Sequence, residues 1–283
     1  MYGGGECEVR DDAKSGSEVA EPSRDSIGNT LRVAITVSLV CSILVASVAV
    51  ILKPIQDDNA RQYQQRIILE VANLMQPGVD IDELSAKIET RMVELSSGTY
   101  VDSPQPDDFD ANLAANSAET GIAIPPELDL ANIRRRAIYA PVYLVRPTDR
   151  VEQIILPVYG SGLWSTMYGY LALATDGTTV TGLRFYSHAE TPGLGDQIDN
   201  PAWISQWAGK ELFGPGGEPR IEVARGVVQI DAASQDTTRF RVDGLSGATL
   251  TGRGVTQLIR YWVGPHGFGP YLERHWRSEG NEA

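Results

Sequence analysis

The chain has 283 residues, 42% of them hydrophobic, and 24 basic against 37 acidic side chains give a formal charge of −13. That length can bury a sizeable core in one large or two small domains, while the acidic balance excludes a nucleic-acid binder, which needs clustered Lys and Arg for phosphate contacts. Two cysteines and three scattered histidines leave no disulfide framework and no iron–sulfur or zinc-thiolate centre in this chain, so a redox cofactor has to be organic.

Residues 1–30 are rich in Gly, Ser, Glu and Asp, the composition of a mobile tail. From Val33 to Leu52 there are twenty consecutive residues without charge, about the number a helix needs to cross a bilayer core. The run is too long and too far from the N-terminus for a signal peptide, so a single transmembrane helix is expected over 31–52. Charge does not orient it, because Arg24 and Arg32 precede the span while Lys53, Arg61 and Arg66 follow it.

Gln56 to Met75 reads as a helix ended by Pro77-Gly78. A second helix is expected from Asp82, with Leu84, Ile88, Met92 and Leu95 at helical spacing. Asp102 to Glu127, with four prolines, reads as a loop. Residues 53–127 are therefore expected to be a helical connector with an acidic loop, and 128–283 a soluble domain. The basic run Arg134 to Arg136 reads as a solvated edge entering a strand. Ile138–Val145, Glu152–Val158, Met167–Ala174 and Val180–Tyr186 read as strands, and Asp176-Gly177 signals a hairpin turn. A short helix over Asn200–Ala208, strands over Arg220–Ala224 and Arg239–Val242, and a helix over Leu250–Val263 complete an α+β domain.

The stretch Asp243-Gly244-Leu245-Ser246-Gly247-Ala248-Thr249-Leu250-Thr251-Gly252 lies between a predicted strand and the last amphipathic helix. Its glycines permit unusual backbone angles and close approach of a bulky group, and the helix that follows would aim free N–H groups and its positive end at Thr249, a favourable place for phosphate. Taken alone, Ser246, Thr249 and Thr251 are equally readable as capping hydroxyls. The order Asp-Gly-x-Ser-Gly-Ala-Thr-x-Thr, however, resembles the flavinylation motif of proteins in which a flavin transferase joins a threonine to the phosphate of FMN. Glu190-Thr191-Pro192-Gly193-Leu194-Gly195 resembles the loop that wraps flavin in the FMN-binding domain of the same proteins. Asp25–Leu31, Leu52–Gln56, Gly160–Trp164 and Gly267–Leu272 extend the likeness, so that nearly the whole chain resembles the C-type flavin subunits of the bacterial Na⁺-translocating NADH:quinone oxidoreductases.

That resemblance implies one transmembrane helix followed by an FMN-binding domain with a mainly antiparallel sheet and flanking helices. It also implies FMN attached covalently to Thr249, electron transfer between centres of the other members of an assembly of six subunits, maturation by a flavin transferase, and contact with membrane lipid. The location implied is the bacterial inner membrane, with the large domain in the periplasm. Residues expected at the flavin are Asp243, Ser246, Gly247, Ala248, Leu250 and Thr251 on the motif, and Glu190 to Gly195 on the second loop. Trp164 and Leu194, with Tyr159 as a third candidate, supply apolar surface for the ring, and Lys210 a positive charge. The chain departs from the family in its acidic tail and at Gly252-Arg253, where Arg253 either meets phosphate or points to water.

The corresponding flavoprotein of the ferredoxin-dependent ion-pumping complex shares the anchor and the Ser-Gly-Ala-Thr motif. Gly244-Leu245-Ser246-Gly247-Ala248 also approaches a hydrolase nucleophile elbow, and a membrane-tethered interaction domain without cofactor is the plainest alternative. The chain has no Gly-x-Gly-x-x-Gly unit for a dinucleotide.

Overall fold

The computed structural model describes residues 26–75, 78–106, 109–228 and 235–277. The expected tail, up to residue 25, and Pro77 of the predicted helix stop lie outside the described residues. The chain divides into two units after Asn59.

Helix α1 runs from Ile27 to Val71 without interruption, passing through Pro54, so the predicted span and the helix predicted after it are one element. Proline removes one backbone bond and crowds the preceding turn, which a helix this long tolerates. Its apolar part is long and hydrophobic enough to cross a membrane, and none of that window is buried within the protein.

In the second unit, α2 (Ile81–Ser85) is capped by the carboxylate of Asp80. The chain then enters strand β1 (Ile88–Glu94), where a continuing helix is expected from the spacing of Leu84, Ile88, Met92 and Leu95. Pairing with β5 (Tyr139–Val145) along seven residues overrides that spacing, and β-branched Ile88, Thr90 and Val93 suit it. The stretch expected as loop contains β2 (Thr99–Val101), α3 (Ala111–Asn116) and β3 (Gly121–Ala123), the last paired with β4 (Arg135–Ala137). The sheet therefore begins well before residue 128. Arg136 is buried rather than a solvated edge, donating to the Ala137 carbonyl at 2.8 Å, and Arg135 donates to the Ala115 and Ser117 carbonyls.

Strands β6 (Gln153–Ser161), β7 (Thr166–Ala174) and β8 (Val180–Ser187) follow where expected. They complete a six-stranded sheet in the order β2-β1-β5-β6-β7-β8, antiparallel at each pairing. The predicted hairpin forms at Asp176-Gly177, where Gly177 takes φ +63° and Asp176 accepts the Thr178 and Thr179 amides at 2.8 Å. Beyond β8 come α4 (Pro201–Ile204), strands β9 (Glu222–Val223) and β10 (Arg241–Val242) in a parallel pair, the short α5 (Gln235–Thr238), α6 (Thr249–Val263) and α7 (Gly269–Leu272).

One sheet face packs against α6 through Val158, Leu171, Val255, Leu258 and Ile259. Approach is close: a Cβ on Gly160 would sit 2.6 Å from Leu258 Cβ, and one on Gly254 would sit 2.7 Å from the Ser161 carbonyl. The other face is covered by the end of α1, where Ile67, Ile68 and Val71 meet Ile155, Tyr170 and Ala172. Glu70 fastens this contact, accepting from Arg66 at 3.1 Å and from Arg184 of β8 at 2.7 Å. Partial burial pushes the Glu70 carboxyl up, but the two guanidinium groups outweigh it and hold the group below its ordinary value. The stabilisation is therefore complete above the unfolded carboxylate range and is lost as pH falls through the lower folded value. Glu70→Gln is expected to cost on the order of 1 kcal/mol at neutral pH, with solvent screening keeping it small. Urea melts at pH 7 and at low pH check this: the difference between wild type and variant should shrink in acid.

Candidate functional site

The site is assembled where three connections meet at the start of α6. The link between β6 and β7, the loop after β8 and the turn before α6 each supply residues, and Glu190 joins them. Its side chain is 4% exposed, and Oε1 accepts the amides of Leu163 at 2.9 Å and Trp164 at 3.2 Å. Oε2 accepts the hydroxyl of Thr251 at 2.5 Å. A buried carboxylate persists only with such partners. Two glycines make room for it, since a Cβ on Gly162 or Gly195 would collide with the Glu190 carboxylate.

Further bonds align the loops. Trp164 Nε1 donates to Thr191 Oγ1 at 2.9 Å, and the Ala189 amide donates to Ser165 Oγ at 2.8 Å. Gly247 takes φ +72°, and a Cβ there would lie 2.9 Å from Leu194. Pro192 and Gly193 form the exposed apex of the loop. Four apolar side chains nevertheless stay in solvent around this knot: Trp164 is 69% exposed, Leu250 57%, Leu163 45% and Leu194 43%. Exposed apolar surface clustered about a rigid polar centre marks a binding surface.

The fifteen-residue helix α6 starts with Ala248 in the N-cap position, without a side-chain cap and without an acidic residue in its first turn. Its first amides and positive end are open to an anion. Thr249 is exposed at the first helical position, whereas Thr251 is fully buried with its hydroxyl committed to Glu190. Thr249 and Arg253 open on a cleft of about 790 Å³ whose far wall is Glu222–Val228. Arg225 and Arg241 also line it, and Arg241 is paired with Glu222 at 2.6 Å. Arg253 is exposed on the α6 side of the cleft, one turn beyond Thr249.

Asp243 turns out to be a brace. Its Oδ1 accepts the Val228 amide at 2.6 Å, its own amide donates to Gln206, and its carbonyl accepts Trp203 Nε1 at 2.8 Å. Ser246 is exposed on the turn. Lys210 does not line the cleft; it donates to the Thr238 carbonyl at 2.9 Å. Burial lowers the pKa of its ammonium, with Asp243 partly opposing. Tyr159 is turned into an aromatic group with Trp262 and Tyr168. Sequence reading missed the Glu190–Thr251 bond, the 222–228 wall and the brace role of Asp243; only the flanking glycines of Glu190 hinted at tight packing there.

FMN has a phosphate and a flat, largely apolar ring, and the donor set fits both: open helix amides and Arg253 beside Thr249, with Trp164 and Leu194 on the adjoining loops. The fold and site thus define a flavin-binding domain behind a long apolar helix, and residues 162–264 match the family model for the FMN-binding domain. The C-type chain of the Na(+)-translocating NADH-quinone reductase of Haemophilus ducreyi is 45% identical over 258 residues, covering 90% of this chain and 97% of the relative. That of Yersinia pestis is 44% identical, covering 89% and 94%. The crystal structure of Shewanella oneidensis NqrC superposes with a TM-score of 0.70 at 33% identity, covering 77% of this chain and 98% of that one. The chain belongs to the NqrC family, the C-type subunits of the Na(+)-translocating NADH-quinone reductases. The ferredoxin-linked alternative is thereby set aside, and the antiparallel sheet lacks the strand–helix alternation of a nucleophile-elbow hydrolase.

Proposed function

We propose that the chain carries FMN through a phosphodiester to Thr249 Oγ and passes electrons between redox centres of its partners in a Na⁺-translocating NADH:quinone oxidoreductase of six subunits. A flavin transferase installs the group. The part of α1 around 31–52 anchors the chain among the lipids of a bacterial inner membrane, with the large domain in the periplasm and residues 1–30 in the cytoplasm.

The observation that carries the reading is the contrast between Thr249, exposed at an uncapped helix start, and Thr251, buried and bonded. The cofactor, when bound, supplies one- and two-electron chemistry. The protein's residues do the rest. The amides of Leu250 and Thr251 and the α6 dipole stabilise the remaining phosphate charge, with Arg253 as counter-charge. Trp164 and Leu194 offer the ring an apolar surface, and Ser246, Gly247 and Ala248 leave space for its approach. Glu190, Thr191 and Gly195 keep those walls in register, while Asp243 and Lys210 act further out by holding Val228 and Thr238 of the cleft.

An intact-mass spectrum of the denatured chain, produced with and without an active flavin transferase, tests the linkage. A gain of one FMN less one water only in the first sample is expected; no gain would leave a non-covalent site or an interaction domain. The flavin-loaded chain alone is expected to show no NADH oxidation, since no dinucleotide-binding motif is present, and measurable turnover would overturn that assignment.

A further inference from the structure

Glu190 is held from both ends. Beyond the three donors on its carboxylate, its backbone N–H donates to His188 Nδ1 at 3.2 Å. The other ring nitrogen, Nε2, lies 2.8 Å from Asp199 Oδ2. A ring nitrogen that accepts an amide proton carries none itself, so the two contacts select one neutral tautomer, with Nε2–H donating to Asp199. The His188 side chain is 12% exposed and that of Asp199 is 51% exposed, so the ring is enclosed while its partner reaches solvent.

We propose that His188 is a positioning residue for this site. In its neutral tautomer it fixes the Glu190 amide and, through the Glu190 carboxylate, the Leu163–Trp164 link and the first turn of α6; a second proton on the ring releases that hold. The consequence for bound flavin rests on the reading given under Proposed function, but the geometry does not.

The physical reason is the number of acceptors. Protonation at Nδ1 sets two N–H groups against each other at a distance suited to one hydrogen bond, and the Glu190 amide loses its partner. Asp199, on the turn Gly195–Asp199, holds the Nε2–H of the ring in either protonation state. On the same loop Glu190 directs its carboxylate to Leu163, Trp164 and Thr251, and Ser165, on the β6–β7 link, takes the Ala189 amide. Asp196 begins the Gly195–Asp199 turn, and Arg184 of β8 is directed to Glu70. The competition is therefore between one backbone bond, kept by neutral imidazole, and one ion pair, kept by imidazolium.

Two substitutions separate these halves. His188→Asn keeps an oxygen near the Nδ1 position and loses the reach to Asp199, whereas His188→Gln keeps a donor near Nε2 and loses the acceptor for Glu190. Amide hydrogen exchange of the full chain in detergent, without flavin and corrected for intrinsic rates, is followed by mass spectrometry between about pH 8 and about pH 5. In wild type, exchange over residues 161–166, 187–195 and 249–253 is expected to rise on the order of fivefold in acid, the factor that loss of one hydrogen bond gives. His188→Asn should stay protected throughout, His188→Gln should exchange fast throughout, and β7 should not change in either. In the flavin-loaded chain, visible circular dichroism should track the same pH in wild type and be flat in His188→Asn.

Wild-type exchange independent of pH, or the two His188 variants behaving alike, overturns the proposal. If His188→Gln does not fold, the wild-type series with His188→Asn still decides it. Failure of the flavin reading looks different: exchange follows the pattern above, but no covalent flavin is present to give a dichroic signal.

Discussion

Thr249→Ala is expected to remove the covalent flavin completely, whereas Thr249→Ser should retain it in part and Thr251→Ala should retain it while melting lower. The first outcome is absolute because no hydroxyl remains at the uncapped start of α6, and the buried hydroxyl two residues on cannot substitute. Thr251 is fully buried with its Oγ1 on Glu190 at 2.5 Å, and a Cβ on Gly195 would sit 2.8 Å from that oxygen, so there is no path by which a phosphate could reach it without unfolding the turn. Losing the Thr251 donor costs about 2 kcal/mol, as for a hydrogen bond to a charged acceptor, and so lowers stability without removing the attachment point. Intact mass and thermal melting of the four proteins, each made with the flavin transferase, check both halves. A flavin retained on Thr249→Ala and lost from Thr251→Ala would move the assignment to the other threonine. A label lost from neither would point to Ser246, the other exposed hydroxyl on the turn.

The elements legible in the sequence were those fixed by local pattern. Twenty uncharged residues define the apolar part of α1, runs rich in Val, Ile, Leu and Tyr with an Asp-Gly turn between them define β7 and β8, and a helical stripe of Val255, Leu258, Ile259 and Trp262 defines α6. What escaped depends on distant partners. Ile88, Met92 and Leu95 have helical spacing, yet that segment is a strand because β5 offers a full edge about fifty residues later. Arg136 reads as solvated and is buried because its guanidinium finds the Ala137 carbonyl and lies against Tyr261. At the site, the motif pointed to Thr249 through its likeness to a family, but the burial of the neighbouring Thr251 hydroxyl is set by a carboxylate 61 residues away in the chain. Nothing periodic in the chain encodes that contact.

That same carboxylate gives the second large effect. Glu190→Ala leaves the Leu163 and Trp164 amides and the Thr251 hydroxyl without their acceptor, and it opens a void between Gly162 and Gly195, whose missing side chains exist to admit Glu190. Each orphaned donor costs about 1–3 kcal/mol if it stays dry, but the loops border solvent and water recovers part of the loss. A net cost of about 3 kcal/mol is expected, a drop of about 10 °C in melting temperature for a domain of this size. Glu190→Gln is the sharper comparison. Its amide oxygen still accepts Leu163 and Trp164, while its NH₂ now faces the Thr251 oxygen, which has to reverse from donor to acceptor; about 1 kcal/mol is expected. Because Trp164 stands on the link that Glu190 fixes, both variants should also alter the surroundings of the indole, read as a shift in tryptophan fluorescence of the cofactor-free chain and as weaker quenching once flavin is attached. If Glu190→Ala melts with wild type and leaves that emission unchanged, Glu190 is not the joint of the site, and the exposed Trp164–Leu194 surface is held by the Trp164–Thr191 and Ala189–Ser165 bonds and the Leu194–Gly247 contact.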